Sequence, residues 1–258
     1  MLKWVPGKKS AKTAFAAILL VTACTLFFEQ KMMNEILFLI KCVVVLSATL
    51  FAFRMGKIWL FAHIAVCIVL ANIYVTKQFI LFGLSATGGN ITYGAIFLST
   101  DLLCEHYSKN EGRKAVFIGF YAAIMYLVTS QLILLFQPAD YDSVNPGMKA
   151  IFSFAPRIIL ASLTAYLISQ LHDIWAFHFI RMKTGGRMLW LRNNASTWVS
   201  QLIDSITFST IAFLGLFPLK IVIQIILSTY LLKVIVAALD TPFIYLSYHF
   251  LPEDLRKK

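Results

Sequence analysis

Eight stretches of about twenty residues, each nearly free of charge, follow one another along this chain, and a run of that length is what an α-helix needs to cross a hydrocarbon layer about 30 Å thick. They fall at about 12–30, 35–53, 58–78, 91–107, 115–136, 156–180, 195–217 and 220–249. A surface helix of a soluble protein shows one apolar stripe, whereas a membrane span is apolar nearly all round. Hydrophobic residues make up 59% of the 258 positions and charged residues 14%, against roughly 45–50% and about 25% in soluble domains. The composition excludes a soluble enzyme. The ten-residue alternating segments of a transmembrane barrel are not seen. The chain reads as an all-α polytopic membrane protein, with residues 12–30 as a first span rather than a cleaved leader.

The net charge of +11 invites a nucleic-acid reading, but positive-inside loops explain it more simply. With eight spans and the N-terminus inside, sixteen of the 23 lysines and arginines fall in cytoplasmic segments. They cluster at Lys3–Lys12, Arg54–Lys57, Lys109–Lys114, Arg181–Arg192 and Arg256–Lys258. The outer segments hold Lys31, Lys77, Lys149 and Lys220, and Lys41, Arg157 and Lys233 lie within spans. This split predicts a multi-pass membrane protein with both termini cytoplasmic. Arg181 to Arg192 is expected as a basic loop turning at Gly185-Gly186, and Gly83 to Asn90 as a glycine-rich loop. The sixth helix is expected to start at Pro156, with Ala150 to Phe154 adding a turn before it.

Against this apolar background a few residues are out of place. Asn72, Asp101, Asp204 and Lys233 sit inside spans, and Arg157 sits near a span end. An ionisable group at bilayer depth is costly and by default marks a substrate or ion path. Tyr93, Phe97, Asp101 and Glu105 are four apart and share one helix face; Gln201, Asp204, Ser205 and Phe208 share another. Counting about 1.5 Å per residue from the span ends puts Asp101, Asp204 and Lys233 near mid-membrane, with Asn72 and Arg157 towards the outside. Three readings fit: a buried ion pair that fixes packing, a proton relay through Asp101 and Asp204, or a polar pocket. A carboxylate accepts two donors from an amidine-like edge such as that of guanine, and Asn offers both donor and acceptor. Tyr74, Tyr93, Phe97 and Phe208 could stack on a planar ring.

Other chemistry finds no support in the sequence. The five histidines, His63, His106, His172, His178 and His249, are scattered, and the four cysteines, Cys24, Cys42, Cys67 and Cys104, lie in apolar stretches without a C-x-x-C, so no metal site and no cofactor is expected. Nucleophile-elbow, zincin and phosphate-loop motifs are not found, so the chain is not expected to be an enzyme, and an ATP-driven role would need partner chains.

Several segments together resemble the queuosine-precursor transporter family, also labelled as vitamin uptake transporters. They are Leu70–Lys77, Gly89–Leu102, Ala155–Ile158, Ala165–His178, Leu189–Thr197, Ser200–Ser205, Ser228–Lys233 and Leu239–Ile244. The resemblance covers about 57–250. It implies import of 7-cyano-7-deazaguanine, 7-aminomethyl-7-deazaguanine or queuine across the cell membrane. It also implies a bacterial inner or plasma membrane and that Asn72, Asp101, Arg157, Asp204 and Lys233 occupy the family's polar intramembrane positions; with Tyr93 and Phe97, the rings read above as able to stack, they make up the expected substrate-binding set. A six-helix core over 57–258, resembling the substrate-binding subunits of energy-coupling-factor transporters, is implied too, preceded by an extension over 1–56 with two spans. Those subunits work with a membrane partner and ATPases, which keeps a vitamin-type subunit with an energy-coupling partner as an alternative, beside a non-transporting scaffold.

Overall fold

The computed structural model describes residues 30–153 and 156–256. The expected first span, at about 12–30, and Phe154 lie outside the described residues or at their edge. The seven further expected spans are all present as helices: α1 (Gln30–Met55), α2 (Lys57–Tyr74), α3 (Asn90–His106), α4 (Lys109–Leu134), α6 (Pro156–Lys183), α7 (Leu189–Phe213) and α8 (Leu219–Leu246). Between them lie strands β1 (Gln78–Leu81) and β2 (Leu84–Thr87) and a short helix α5 (Asn145–Phe152); a 3-10 turn (Ser247–His249) and α9 (Glu253–Arg256) follow α8.

The sequence punctuates these helices. Gly56, at φ +106°, separates α1 from α2, a backbone state that side-chain-bearing residues rarely adopt. Ser108 accepts a hydrogen bond from the Glu111 amide at 3.3 Å and so caps α4, with the Ser-x-x-Glu spacing of a capping box. At the end of α6, Gly186 N donates to Arg181 O at 2.9 Å and Gly185 N to Met182 O at 3.4 Å, both glycines being left-handed; this is the carbonyl-satisfying C-terminal turn that glycine permits.

Among the described residues, five helices are long and apolar enough to cross a membrane: α1 from Met33, α2, α4, α6 from Arg157, and α8 with the turn after it to His249. Their outward faces carry exposed hydrophobics such as Val43, Phe51, Val66, Phe117, Leu132, Leu160 and Leu227. The molecule is a multi-pass all-α membrane protein. Helices α3 and α7 differ in kind. α3 is just 17 residues long, and every residue from Ile91 to Glu105 except Tyr93 is buried. It packs against α1, α2, α4, α6 and α8, while α7 packs on α6 and α8. A helix wrapped by protein has no need of a lipid-facing apolar surface, so it can be short and can carry polar groups that lipid would not tolerate.

One apolar core joins Leu46 and Phe53 of α1 to Leu60 and Ile64 of α2, Ile96 and Leu102 of α3, Val116 of α4 and Phe177 of α6; a second joins Phe38 and Cys42 to Leu81, Leu232 and Val236. Helix α1 therefore packs into the same body as the helices that follow.

Two regions correct the sequence reading. The expected glycine-rich loop is an antiparallel hairpin, Gln78 pairing with Thr87 and Leu81 with Leu84. Its two-residue turn, Phe82 at φ +51° and Gly83 at φ +77°, has the positive dihedrals of a type I′ hairpin turn. Phe82 tolerates this because its amide donates to Glu35 Oε1 at 3.2 Å and its ring meets Phe38 edge-on at 6.0 Å. The expected basic loop is much shorter than Arg181–Arg192: α6 continues to Lys183, α7 begins at Leu189, and Arg192 is 2% exposed. A partner carboxylate described below explains that burial.

Candidate functional site

The face of α3 that carries Tyr93, Phe97, Asp101 and Glu105 looks into the bundle, and each of its three polar positions meets groups from other helices. The result is a polar column with three layers. Tyr93 and Asp101 are eight residues apart, about 12 Å along the helix, and Glu105 lies about 6 Å further.

At the hairpin end, Asp204 of α7 is ion-paired with Lys233 of α8. Tyr93 Oη donates to Asp204 Oδ1 at 2.8 Å and Ser169 Oγ of α6 donates to the same oxygen at 3.2 Å. The Lys233 ammonium also lies 5.2 Å from the Tyr93 ring centre. Phe97 and Tyr166 flank Tyr93 edge-on, with ring centres at 5.6 and 6.4 Å. Four helices thus supply one charge pair with polar contacts and an aromatic wall. Asp204 is 5% and Lys233 9% exposed; burial of such a pair adds little stability over apolar side chains, because desolvation offsets the attraction.

The middle layer holds three carboxylates, Asp101 of α3, Asp173 of α6 and Asp240 of α8, all at most 1% exposed. Asp101 and Asp173 lie within hydrogen-bonding reach of each other. Thr197 Oγ1 donates to Asp101 Oδ2 at 3.4 Å, Ser200 Oγ to Asp173 Oδ1 at 3.1 Å, and Asn193 Nδ2 to Asp240 Oδ1 at 2.8 Å, all from α7. One oxygen of each carboxylate has no hydrogen-bond partner. Between this layer and the ion pair lie two buried amides. Gln170 Oε1 accepts from Thr100 Oγ1 at 3.2 Å, while Gln170 Nε2 and Gln201 Oε1 have no partner.

At the Gly185-Gly186 end, Glu105 holds Arg192 through Nε at 3.0 Å and Nη2 at 2.5 Å. Tyr248 donates to the same carboxylate, and Arg181 stands 3.8 Å from it. Arg192 Nη1 bonds Gly186 O at 2.8 Å and Arg187 O at 3.2 Å, so this layer also ties down the α6–α7 turn.

Five of the seven site residues expected from the sequence enter the column: Tyr93, Phe97, Asp101, Asp204 and Lys233. Asn72 and Arg157 are engaged elsewhere. Asn72 Nδ2 donates to Ile68 O of its own helix at 2.8 Å. The Arg157 guanidinium, which is exposed, bonds Ile211 O through Nε and Leu214 O at 2.5 Å through Nη2, so it caps the C-terminal carbonyls of α7, where a cation is favoured. Sequence reasoning did not assign Gln170, Asp173, Asn193, Arg192 or Asp240 to the site. A usable signal was present: Asn193, Thr197, Ser200, Gln201 and Asp204 recur with a helical period through α7, and all five are buried.

The family model described as "Putative vitamin uptake transporter" matches residues 87–247, which include α3, α6, α7 and α8 up to Leu246, the helices that build the column. A Bacillus subtilis protein named "Probable queuosine precursor transporter" is 43% identical over 202 residues, covering 78% of this chain and 88% of the relative. The chain belongs to this transporter family. A Haemophilus influenzae protein of the same name is 29% identical over 133 residues, 51% of this chain and 54% of that one. An Escherichia coli protein named "Queuosine precursor transporter" is 29% identical over 158 residues, 60% of this chain and 67% of that one. No solved structure matches the chain. Family membership and the five long apolar helices make the chain a membrane protein of a transporter family, not one of an enzyme family.

Proposed function

We propose that the protein imports queuosine precursors, 7-cyano-7-deazaguanine, 7-aminomethyl-7-deazaguanine or queuine, across the bacterial cell membrane. The polar column is the path and its hairpin-end half is the binding pocket. The observation that carries this reading is the convergence of Tyr93, Ser169 and Lys233 on Asp204 next to the Phe97 ring. A 7-deazaguanine is planar and carries an amidine-like edge. It suits an aromatic wall beside a carboxylate that accepts from that edge, with Asp101 a second acceptor deeper in the column. The unpartnered amides Gln170 and Gln201 add a donor and an acceptor between the two carboxylates. Asn72 and Arg157 stand towards the hairpin side of this pocket and would reach a substrate there after leaving the backbone carbonyls they now hold.

The transporting unit in this reading is the six long helices from residue 57 onward, arranged like the substrate-binding subunits of energy-coupling-factor transporters. The extension before residue 57 contributes α1, which packs against α2, α3 and α8. The positive-inside loop charges place both termini in the cytoplasm. The test is uptake of labelled base by cells that cannot make the precursor but can insert it into tRNA. Uptake should require this gene and should be lost in Asp204→Asn and in Lys233→Met. Wild-type uptake in both variants would remove the pocket.

A further inference from the structure

Of the middle layer the import reading uses only Asp101, which leaves Asp173 and Asp240 buried and without a role. Asp101, Asp173 and Asp240 bring three carboxylates from three helices into one buried layer, and none of the ion pairs among the described residues includes any of them. The titratable groups around them do not supply a counter-charge. α3 adds Cys104 and, a turn on, Glu105, whose charge is taken by Arg192 of α7; α6 adds His172, bonded to Ser200 Oγ at 2.9 Å. On α8 the cation is Lys233, held by Asp204 two turns away. Arg181 of α6 donates to Cys104 O at 3.2 Å and faces Glu105 at 3.8 Å. The charged groups of α1 are at the hairpin, Glu35 and Lys41, or over the Phe250 ring, Arg54. Ionised carboxylates gathered in a low-dielectric interior repel one another.

A second observation says what compensates them. Asn193 is fully buried and its Nδ2 already donates to Asp240 Oδ1, but its own Oδ1 has no donor, and Asp240 Oδ2 has no partner either. An ionised carboxylate has nothing to offer that amide oxygen, because it is acceptor-only. A carboxyl with a proton on Oδ2 does: amide and acid then exchange two hydrogen bonds and both orphaned oxygens are satisfied. The Asp101–Asp173 contact asks for the same thing, since two carboxylates within hydrogen-bonding reach need one proton between them. No group of three or more metal-binding side chains among the described residues is placed to hold a metal ion.

We propose that Asp240, with Asn193 and the Asp101–Asp173 pair, is a proton-binding site, and that the protein is a proton symporter. This rests on the import reading above and names its energy source. A proton enters the middle layer on one side, is held as an O–H bond in the Asp240–Asn193 pair, and leaves on the other side in the same cycle as the substrate; nothing else is made or broken. The unpaired amides of Gln170 and Gln201 lie between the proton layer and the pocket and would transmit occupancy from one to the other.

The test uses the full chain in liposomes with labelled 7-aminomethyl-7-deazaguanine. In wild-type protein an inward proton gradient of one pH unit, with one proton per substrate, sustains about tenfold accumulation, which a protonophore abolishes and a sodium gradient does not restore. Asp240→Asn keeps the hydrogen bond to Asn193 but carries no exchangeable proton. It should still exchange external label for internal substrate, yet fail to accumulate it. Accumulation by Asp240→Asn equal to wild type, or wild-type accumulation indifferent to the protonophore, would overturn the proposal. Should the variant fail to fold, proton uptake on adding substrate to wild-type liposomes decides instead, and no pH change would count against symport. Absence of exchange by the wild-type protein would bring down the import reading itself, a result distinct from exchange without coupling.

Discussion

Glu105 and Arg192, on α3 and α7, form a two-pronged ion pair at the Gly185-Gly186 end of the column, with Arg192 contacts of 3.0 and 2.5 Å. Both side chains are nearly sealed from solvent, at 4% and 2% exposed. Tyr248 and Arg181 add to the same carboxylate, and Arg192 reaches back to the turn through Gly186 O. The pair closes this end of the column by joining α3, α6, α7 and the turn after α8.

Removing one member leaves the other charged and buried. Glu105→Gln should therefore cost about 3–5 kcal/mol of stability. Arg192→Lys should also destabilise the protein, because an ammonium cannot reproduce the planar fork. Replacing both by leucine should recover much of the loss, since apolar packing competes well with a buried pair. Thermal unfolding of the detergent-purified variants measures this. A double variant no better than the worse single one would mean that the pair contributes more than charge balance.

The close approach of α3 to α8 is a second target. A Cβ added at Gly94 would lie 2.5 Å from Val236 Cγ1, and Val236 is buried. Gly94→Ala should cost about 1–3 kcal/mol through overpacking, and Val236→Ala in the same chain should relieve most of it. The melting temperatures of the two single variants and the double variant give the coupling directly; additivity would place the clash elsewhere.

These two contacts mark what could and could not be read from the chain. The seven main helices were legible because each lies on a largely apolar run, and so were Asp204 and Lys233, whose cost in lipid makes them conspicuous at any position. Their pairing was not legible, since it depends on which faces of α7 and α8 meet. Arg192 was misplaced because an arginine beside Arg181, Lys183 and Arg187 reads as a loop charge; its burial depends on Glu105, 87 positions away. Asp173 and Asp240 lie towards span ends, where charge is ordinary, and their place in the column follows from the packing of α6 and α8 around α3. The hairpin was hidden because Phe82 is not a usual turn residue, and its positive φ is imposed by Glu35 and Phe38.

Arg157 separates capping from substrate contact. Its guanidinium holds two carbonyls at the C-terminal end of α7, Ile211 O and Leu214 O, and a cation so placed contributes about 0.3–1 kcal/mol. Arg157→Ala should lower thermal stability by that order and slow uptake far less than Asp204→Asn does. Uptake lost outright, in a protein that melts like the wild type, would move Arg157 from cap to pocket.

Tyr93 tests the pocket more cleanly than either charge does, because Tyr93→Phe keeps the ring and leaves the Asp204–Lys233 pair intact. The variant removes the 2.8 Å bond from the phenol to Asp204. A hydrogen bond to a charged group contributes about 1.5–3 kcal/mol, so if it orients the carboxylate for the substrate, kcat/KM for uptake should fall by roughly 10- to 100-fold. Phe97→Leu keeps the apolar volume but removes the flat face, and a stacking contribution of about 0.5–1.5 kcal/mol predicts a smaller loss, read mainly in KM. The order matters more than either value. Were Phe97→Leu the more damaging of the two, the ring would be recognised by its face rather than its edge, and Asp204 would be a structural partner of Lys233 instead of the group that reads the base.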